Sequence, residues 1–251
     1  MGHERLGILP KTQKWRVIVS NVASAGTGDV SVSAIADQTL AAIGSKYNDL
    51  GSDESVRAAF SLLVDIARSA SSPETAPAIS DKTPLTLVLE LSKRIHSTGG
   101  SLETRELVIR AAADALSTWR RDNSAGQPSL FEDTASQGNW NELGNGAGFC
   151  EISRLYFSKL TERYLNYFLE REASSVISDL GARERFKSRL SEHVSEVSRH
   201  SFESAKITQS FAAGWFNKHA LTKAPSEAQI KKFLAYAFQK MREEFRREGG
   251  Q

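Results

Sequence analysis

The chain has 251 residues, 40% of them apolar and 25% charged, with a net charge of +2. That length and composition suit a globular chain able to bury its own core, and the near-neutral balance gives no bulk-charge reason for a nucleic-acid or membrane partner. A single cysteine, Cys150, excludes an internal disulfide, and with five histidines in the whole chain it argues against structural zinc of the multi-cysteine kind. The charge is uneven: residues 151–251 carry 18 Lys/Arg against 13 Asp/Glu, a balance of +5, while residues 1–150 carry 14 against 17, a balance of −3.

Residues 1–10 read as an extended arm, broken by Gly2, Gly7 and Pro10 and anchored by Leu6, Ile8 and Leu9. The opening Met1-Gly2-His3-Glu4-Arg5 is polar and no long apolar run follows, so neither a secretory leader nor a membrane span is expected, and the cytoplasm is the expected location. A short helix is predicted over Thr12 to Ala23 with Trp15, Ile18, Val19 and Val22 inward. Gly26-Thr27-Gly28-Asp29 contains GxG, but no strand precedes it and no third glycine follows, which makes it a turn and not a phosphate loop.

Apolar residues then recur at helical spacing. Val32, Ile35, Ala36, Leu40 and Ile43 form one stripe, ended by Gly44. Ser52 is the predicted cap of the next helix, with Val56, Ala59, Phe60, Leu63, Ile66 and Ala67 inward. Residues 69–82 are a Ser/Pro/Ala-rich connection. Thr83-Pro84 opens a helix carrying Leu87, Val88, Leu91 and Ile95, which stops at Gly99-Gly100. Ser101 caps a helix with the stripe Val108, Ala112, Ala115, Leu116 and Trp119.

The stretch from Asp122 to Gly148 holds Gly, Asn, Ser and Gln with few apolar residues, and the internal boundary is placed there. Residues 149–175 form the most hydrophobic helix, apolar on more than one face and therefore buried from several sides. A charged helix follows over about Ala182 to Lys206, then an aromatic stretch with Phe211, Trp215 and Phe216, broken near Gly214. Ser226 and Gln229 read as a capping box for the last helix. Its apolar stripe is Ile230, Phe233, Leu234, Ala237, Phe238, Met241 and Phe245, and its opposite face carries Lys231, Lys232, Lys240, Arg242, Arg246 and Arg247. The whole is read as all-α: a multi-helix bundle of about eight to nine helices with a long internal loop. It divides into a helical part at 1–122, a flexible linker at 123–148 and a helical part at 149–251, the two parts being able to pack as one domain.

Few residues converge on chemistry. His193, Glu196, His200 and Glu203 share one stripe of a helix, the type of donor set that ligates iron, manganese or zinc. At about 100° per residue, the inward face is defined by Leu190, Val194 and Val197. The two histidines then lie roughly 100–120° from it and the two glutamates roughly 160–180°, which makes the stripe a solvated charged face. Cys150 opens the buried helix and reads as a packing residue, since no histidine is placed to activate it. No GxSxG, Walker-type loop or HExxH occurs. No catalytic residue, metal, cofactor or small-molecule substrate is expected.

Two segments point instead to partners. Gln127-Pro128-Ser129-Leu130-Phe131 resembles the short peptide by which bacterial replication and repair proteins dock on the sliding clamp, although Pro128 stands where that pattern prefers leucine. The resemblance implies that Leu130 and Phe131 enter an apolar pocket while Gln127 hydrogen-bonds beside it. The basic face of the last helix could lie on phosphates, though Glu243, Glu244 and Glu248 interleave with it. The general character resembles helical accessory proteins encoded in bacterial multi-gene systems, defence clusters among them. The expected function is a non-catalytic interaction subunit of such a multi-protein system, contacting a protein partner through the arm at 1–10, the segment at 123–148 and the last helix. The alternative is a nucleic-acid-associated factor using the basic helix and the 127–131 peptide.

Overall fold

Helix starts follow the polar residues that can satisfy free backbone N–H groups. The computed structural model describes residues 10–25, 30–43, 45–71, 84–96, 98–99, 101–123, 140–203 and 210–250. Its helices are α1 (Gln13–Ala25), α2 (Val32–Ile43), α3 (Ser45–Asp49), α4 (Glu54–Ser71), α5 (Pro84–His96), α6 (Leu102–Asp122), α7 (Gly146–Val176), α8 (Leu180–Glu203), α9 (Phe211–His219) and α10 (Glu227–Gly249), with 3-10 turns at Leu50–Ser52 and Trp140–Gly144. The all-α class holds: the described residues contain ten helices and no strand, and the apolar runs at Val17-Ile18-Val19 and Leu87-Val88-Leu89 lie in α1 and α5. The extra helix is the five-residue α3, which resumes beyond Gly44. No helix among the described residues is long and apolar enough to cross a membrane.

Ser101 accepts from the Thr104 N–H at the start of α6, and Ser226 and Gln229 form both halves of the box at α10. Caps of this kind contribute about 1 kcal/mol each. At α4 the cap is Asp53 and not Ser52: the Asp53 carboxylate accepts from the N–H groups of Ser55 at 2.7 Å and Val56 at 3.1 Å. Ser52 instead closes the 3-10 turn before it. α9 runs unbroken through Gly214, which was expected to interrupt it.

α7 is buried along most of its length and packs on α1, α4, α6, α8 and α9. The centre of the core is an aromatic group drawn from both ends of the chain. Phe60 of α4 stacks on Phe233 of α10 with centroids 4.8 Å apart. Phe149 of α7 stacks on Phe216 of α9 at 4.6 Å, and Trp215 lies 4.8 Å from Phe233. Tyr47 of α3 and Thr161 of α7 share a buried hydrogen bond of 2.8 Å, and the Trp15 indole of α1 donates to Glu172 at 3.0 Å. The parts before residue 123 and after residue 148 thus line one continuous hydrophobic cluster.

The Gly/Asn-rich stretch expected to be linker is built into the fold over its last nine residues. Trp140 and Leu143 are buried, and Trp140 stacks on Trp119 of α6 with centroids 5.5 Å apart. Asn145 caps α7 through the Gly148 N–H at 2.9 Å. The composition that reads as loose here serves close approach. A Cβ on Gly148 would sit 2.0 Å from the Glu142 carbonyl oxygen. Gly148→Ala is therefore expected to cost at least about 2 kcal/mol, as forced overpacking does. Gly214 has nothing within 4 Å of its Cβ position, so Gly214→Ala is expected to add about 0.5–1 kcal/mol by lowering the entropy of the unfolded chain. Urea unfolding of the two variants should move in opposite directions.

Candidate functional site

The basic face of α10 is less free than its sequence implies. Lys231, Lys232, Arg246 and Arg247 are exposed, while Lys240 and Arg242 are half-buried. Lys240 Nζ is 3.3 Å from Glu243 and lies 5.7 Å from the centre of the Tyr236 ring. Arg247 pairs with Glu244 one turn back. Arg246 and Arg242 bear on Asp37 of α2, whose carboxyl is pushed up by burial and pulled back by those two guanidiniums. The apolar stripe of the same helix, from Ile230 to Phe245, is buried in the protein's own core. It is not available to a partner, so a contact through the last helix would have to use its outer face.

Where α8 meets α10, two imidazoles and three carboxylates converge. His200 places Nδ1 2.6 Å from Glu248 Oε1 and 3.5 Å from Glu244 Oε1. Its Nε2 lies 2.9 Å from Glu196 Oε1. His193 places Nδ1 3.6 Å from Glu248 Oε2 and sets its ring edge-on to Phe245 at 5.5 Å. The His193 side chain is 12% exposed, so the ring is packed against α10 and not solvated with the rest of its stripe. Burial lowers its pKa, against the pull of Glu248 and then Glu196. Glu196 stays near solvent, as the helical phase predicts, and the Arg199 guanidinium holds its carboxyl below the ordinary range. The Glu203 side chain lies outside the described residues. Glu244 and Glu248 were legible only as acids diluting a basic patch. Their i, i+4 spacing was the available signal, but nothing local says that this face meets α8.

A cavity of about 580 Å³ opens where the starts of α7 and α9 come together, lined by Asn145, Cys150, Glu151, Arg154, Ser210 and Asn217 among others. The Ser210 hydroxyl donates to the Cys150 sulfur at 2.8 Å. Among the described residues no histidine lines this cavity. Cys150 itself is half-buried against the core.

The most exposed large apolar side chains among the described residues sit elsewhere, on α5, at the start of α6 and at the start of α8, where Leu180 is 64% exposed. Leu85 is 68% exposed, Leu89 54% and Leu102 58%. Leu85 and Leu89 stand one turn apart on the face of α5 opposite its buried Leu87, Leu91 and Ile95. The docking peptide with Gln127, Leu130 and Phe131 and the arm at residues 1–9 lie outside the described residues. Compared with protein-family models, curated proteins and solved structures, the chain matches none.

Proposed function

We propose that this chain is a non-catalytic helical interaction subunit whose docking surface for a protein partner is the outer face of α5. The observation that carries the reading is the exposed pair Leu85 and Leu89. Two leucines at i and i+4 are the anchor pattern by which helices engage a groove or a second helix. Each contributes about 1.5–3 kcal/mol when fully buried. The row continues into the basic last turn of α5 with Lys93 and His96, while Arg94 is turned toward Asp65 and Glu90. That end favours a partner carrying acidic residues next to its apolar contact. The α10 stripe, the strongest competitor for this role, is already used inside the fold.

The test is a double substitution, Leu85→Glu with Leu89→Glu. Both side chains are exposed, so helicity and thermal stability are expected to stay close to those of the parent chain. Affinity capture from the native host, with nuclease treatment and at two salt concentrations, is expected to recover a stoichiometric protein with the parent and to lose it with the variant. Equal recovery by both would refute the assignment of this face. Recovery of nucleic acid that is lost at high salt would favour phosphate binding through Lys231 and Lys232 instead.

A further inference from the structure

We propose that the joint between α8 and α10 is a binding site for a divalent transition-metal ion of the zinc class, with His200 Nδ1, Glu244 and Glu248 as ligands and a water in the fourth position. The donor set fixes the class. Imidazole with carboxylate suits zinc, iron, manganese or nickel, whereas magnesium and calcium take oxygen ligands.

The spacing fits without rearranging the backbone. One ligand atom from each of His200, Glu244 and Glu248 lies within 4.8 Å of the others. Tetrahedral zinc, with bonds of about 2.0–2.1 Å, holds its ligand atoms about 3.3 Å apart. The separation of 3.5 Å from His200 Nδ1 to Glu244 is close to that figure. The remaining one, 2.6 Å from His200 Nδ1 to Glu248, is a hydrogen bond. Ion binding replaces that bond, and Glu248 needs to withdraw by less than 1 Å, roughly one small side-chain torsion.

Three further features point the same way. The outer nitrogen of His200 already faces a carboxylate, Glu196, at 2.9 Å. Ion binding displaces the proton that Nδ1 shares with Glu248 and leaves one on Nε2 toward Glu196, the carboxylate–histidine–metal arrangement, against the Arg199 guanidinium 3.0 Å from the same nitrogen. Glu244 and Glu248 are 13% and 17% exposed, so they are set in a cleft and not on an open face. Finally, Glu248 lies in the last turn of α10, whose negative end favours a cation nearby. Two guanidiniums oppose it, Arg199 at Glu196 and Arg247 at Glu244. Arg247 holds Glu244 Oε1, the oxygen nearest His200 Nδ1, so ion binding has to displace it or turn the Glu244 carboxylate to its other oxygen.

The experiment uses the full chain, purified without a histidine tag and dialysed against chelator. It is titrated calorimetrically with zinc chloride and followed in the visible spectrum with cobalt. The expected result is one saturable equivalent of zinc in the micromolar range or tighter, with the intense d–d absorption of a four-coordinate cobalt ion and a rise in Tm. His200→Gln and Glu248→Gln are expected to abolish the equivalent. Glu196→Gln, a positioning change, is expected to weaken it by about tenfold or more while leaving the ion-free Tm unchanged. His219→Gln, outside the cluster, is expected to bind as the parent does. Absence of a saturable equivalent in the parent chain overturns the proposal, and so does binding that survives both His200→Gln and Glu248→Gln. If either variant fails to fold, the parent's cobalt spectrum decides alone, since octahedral or absent absorption contradicts the ligand set.

Discussion

Phe233→Ala is expected to destabilise the protein by about 3–5 kcal/mol, the cost of removing a large aromatic side chain from a packed interior. Phe233 is buried, and five aromatic side chains surround it: Phe60, Trp215, Phe211, Phe149 and Phe157, with centroids between 4.8 and 6.3 Å away. Those rings come from α4, α7 and α9, so the cavity cannot close by movement of one element. A loss of this size is a large part of the roughly 5–15 kcal/mol that holds a typical domain together. Tyr236, three residues further along α10, is 44% exposed and touches only the rim of the cluster through Phe211 at 5.0 Å. Tyr236→Ala is expected to cost less than about 1 kcal/mol, as surface changes do. Urea unfolding followed by circular dichroism measures both. The contrast decides whether the aromatic stripe of α10 is core or surface: a small loss at Phe233 would mean that the stripe is not packed as described and is open to a partner.

How much of this was legible in the sequence depends on how local the deciding physics is. The caps at Ser101 and Ser226 could be read because they act within four residues. The inward faces of α4 and α6 could be read because burial repeats with the helical period. The choice between Ser52 and Asp53 could not, because both residues can cap and only the backbone path through the 3-10 turn selects one. Residues 140–148 failed for a different reason. Glycine and asparagine are shared by loose segments and by tight backbone contacts, and the steric need at Gly148 arises from Glu142 folding back onto α7. The His193–His200 row was recognised, but its phase was measured against α8 alone. What covers it is α10, and the meeting of Glu244 and Glu248 with the two imidazoles is a tertiary fact that no window of sequence contains. α5 is the converse case. Leu85 and Leu89 fall outside its predicted inward stripe, so their exposure was implied by the same periodicity that placed Leu87 and Leu91.

Above about pH 10, where a free phenol ionises, the protein is expected to unfold cooperatively. Three tyrosines drive it. Burial raises the pKa of Tyr47, with the Thr161 hydrogen bond acting weakly against it. Burial raises that of Tyr156, helped by the Asp53 charge, and that of Tyr164, helped by Asp49. A raised phenol pKa means that the folded chain keeps protons which the unfolded chain releases. Stability is therefore full below the unfolded value and falls as pH climbs past it. Tyrosinate absorbance and far-UV circular dichroism, recorded on the same samples, should change together for these three residues, because none can ionise without leaving its site. Ionisation of all five tyrosines with helicity intact would contradict their burial. Tyr156 offers the sharper test. Its hydroxyl is buried with no protein partner among the described residues, so it contributes a desolvation cost without a compensating bond. Tyr156→Phe removes both that cost and one of the three ionising groups. It is expected to stabilise the protein by about 1 kcal/mol at neutral pH and to move the alkaline midpoint upward, whereas Tyr47→Phe, which also breaks the bond to Thr161, should move the midpoint upward while lowering stability at neutral pH.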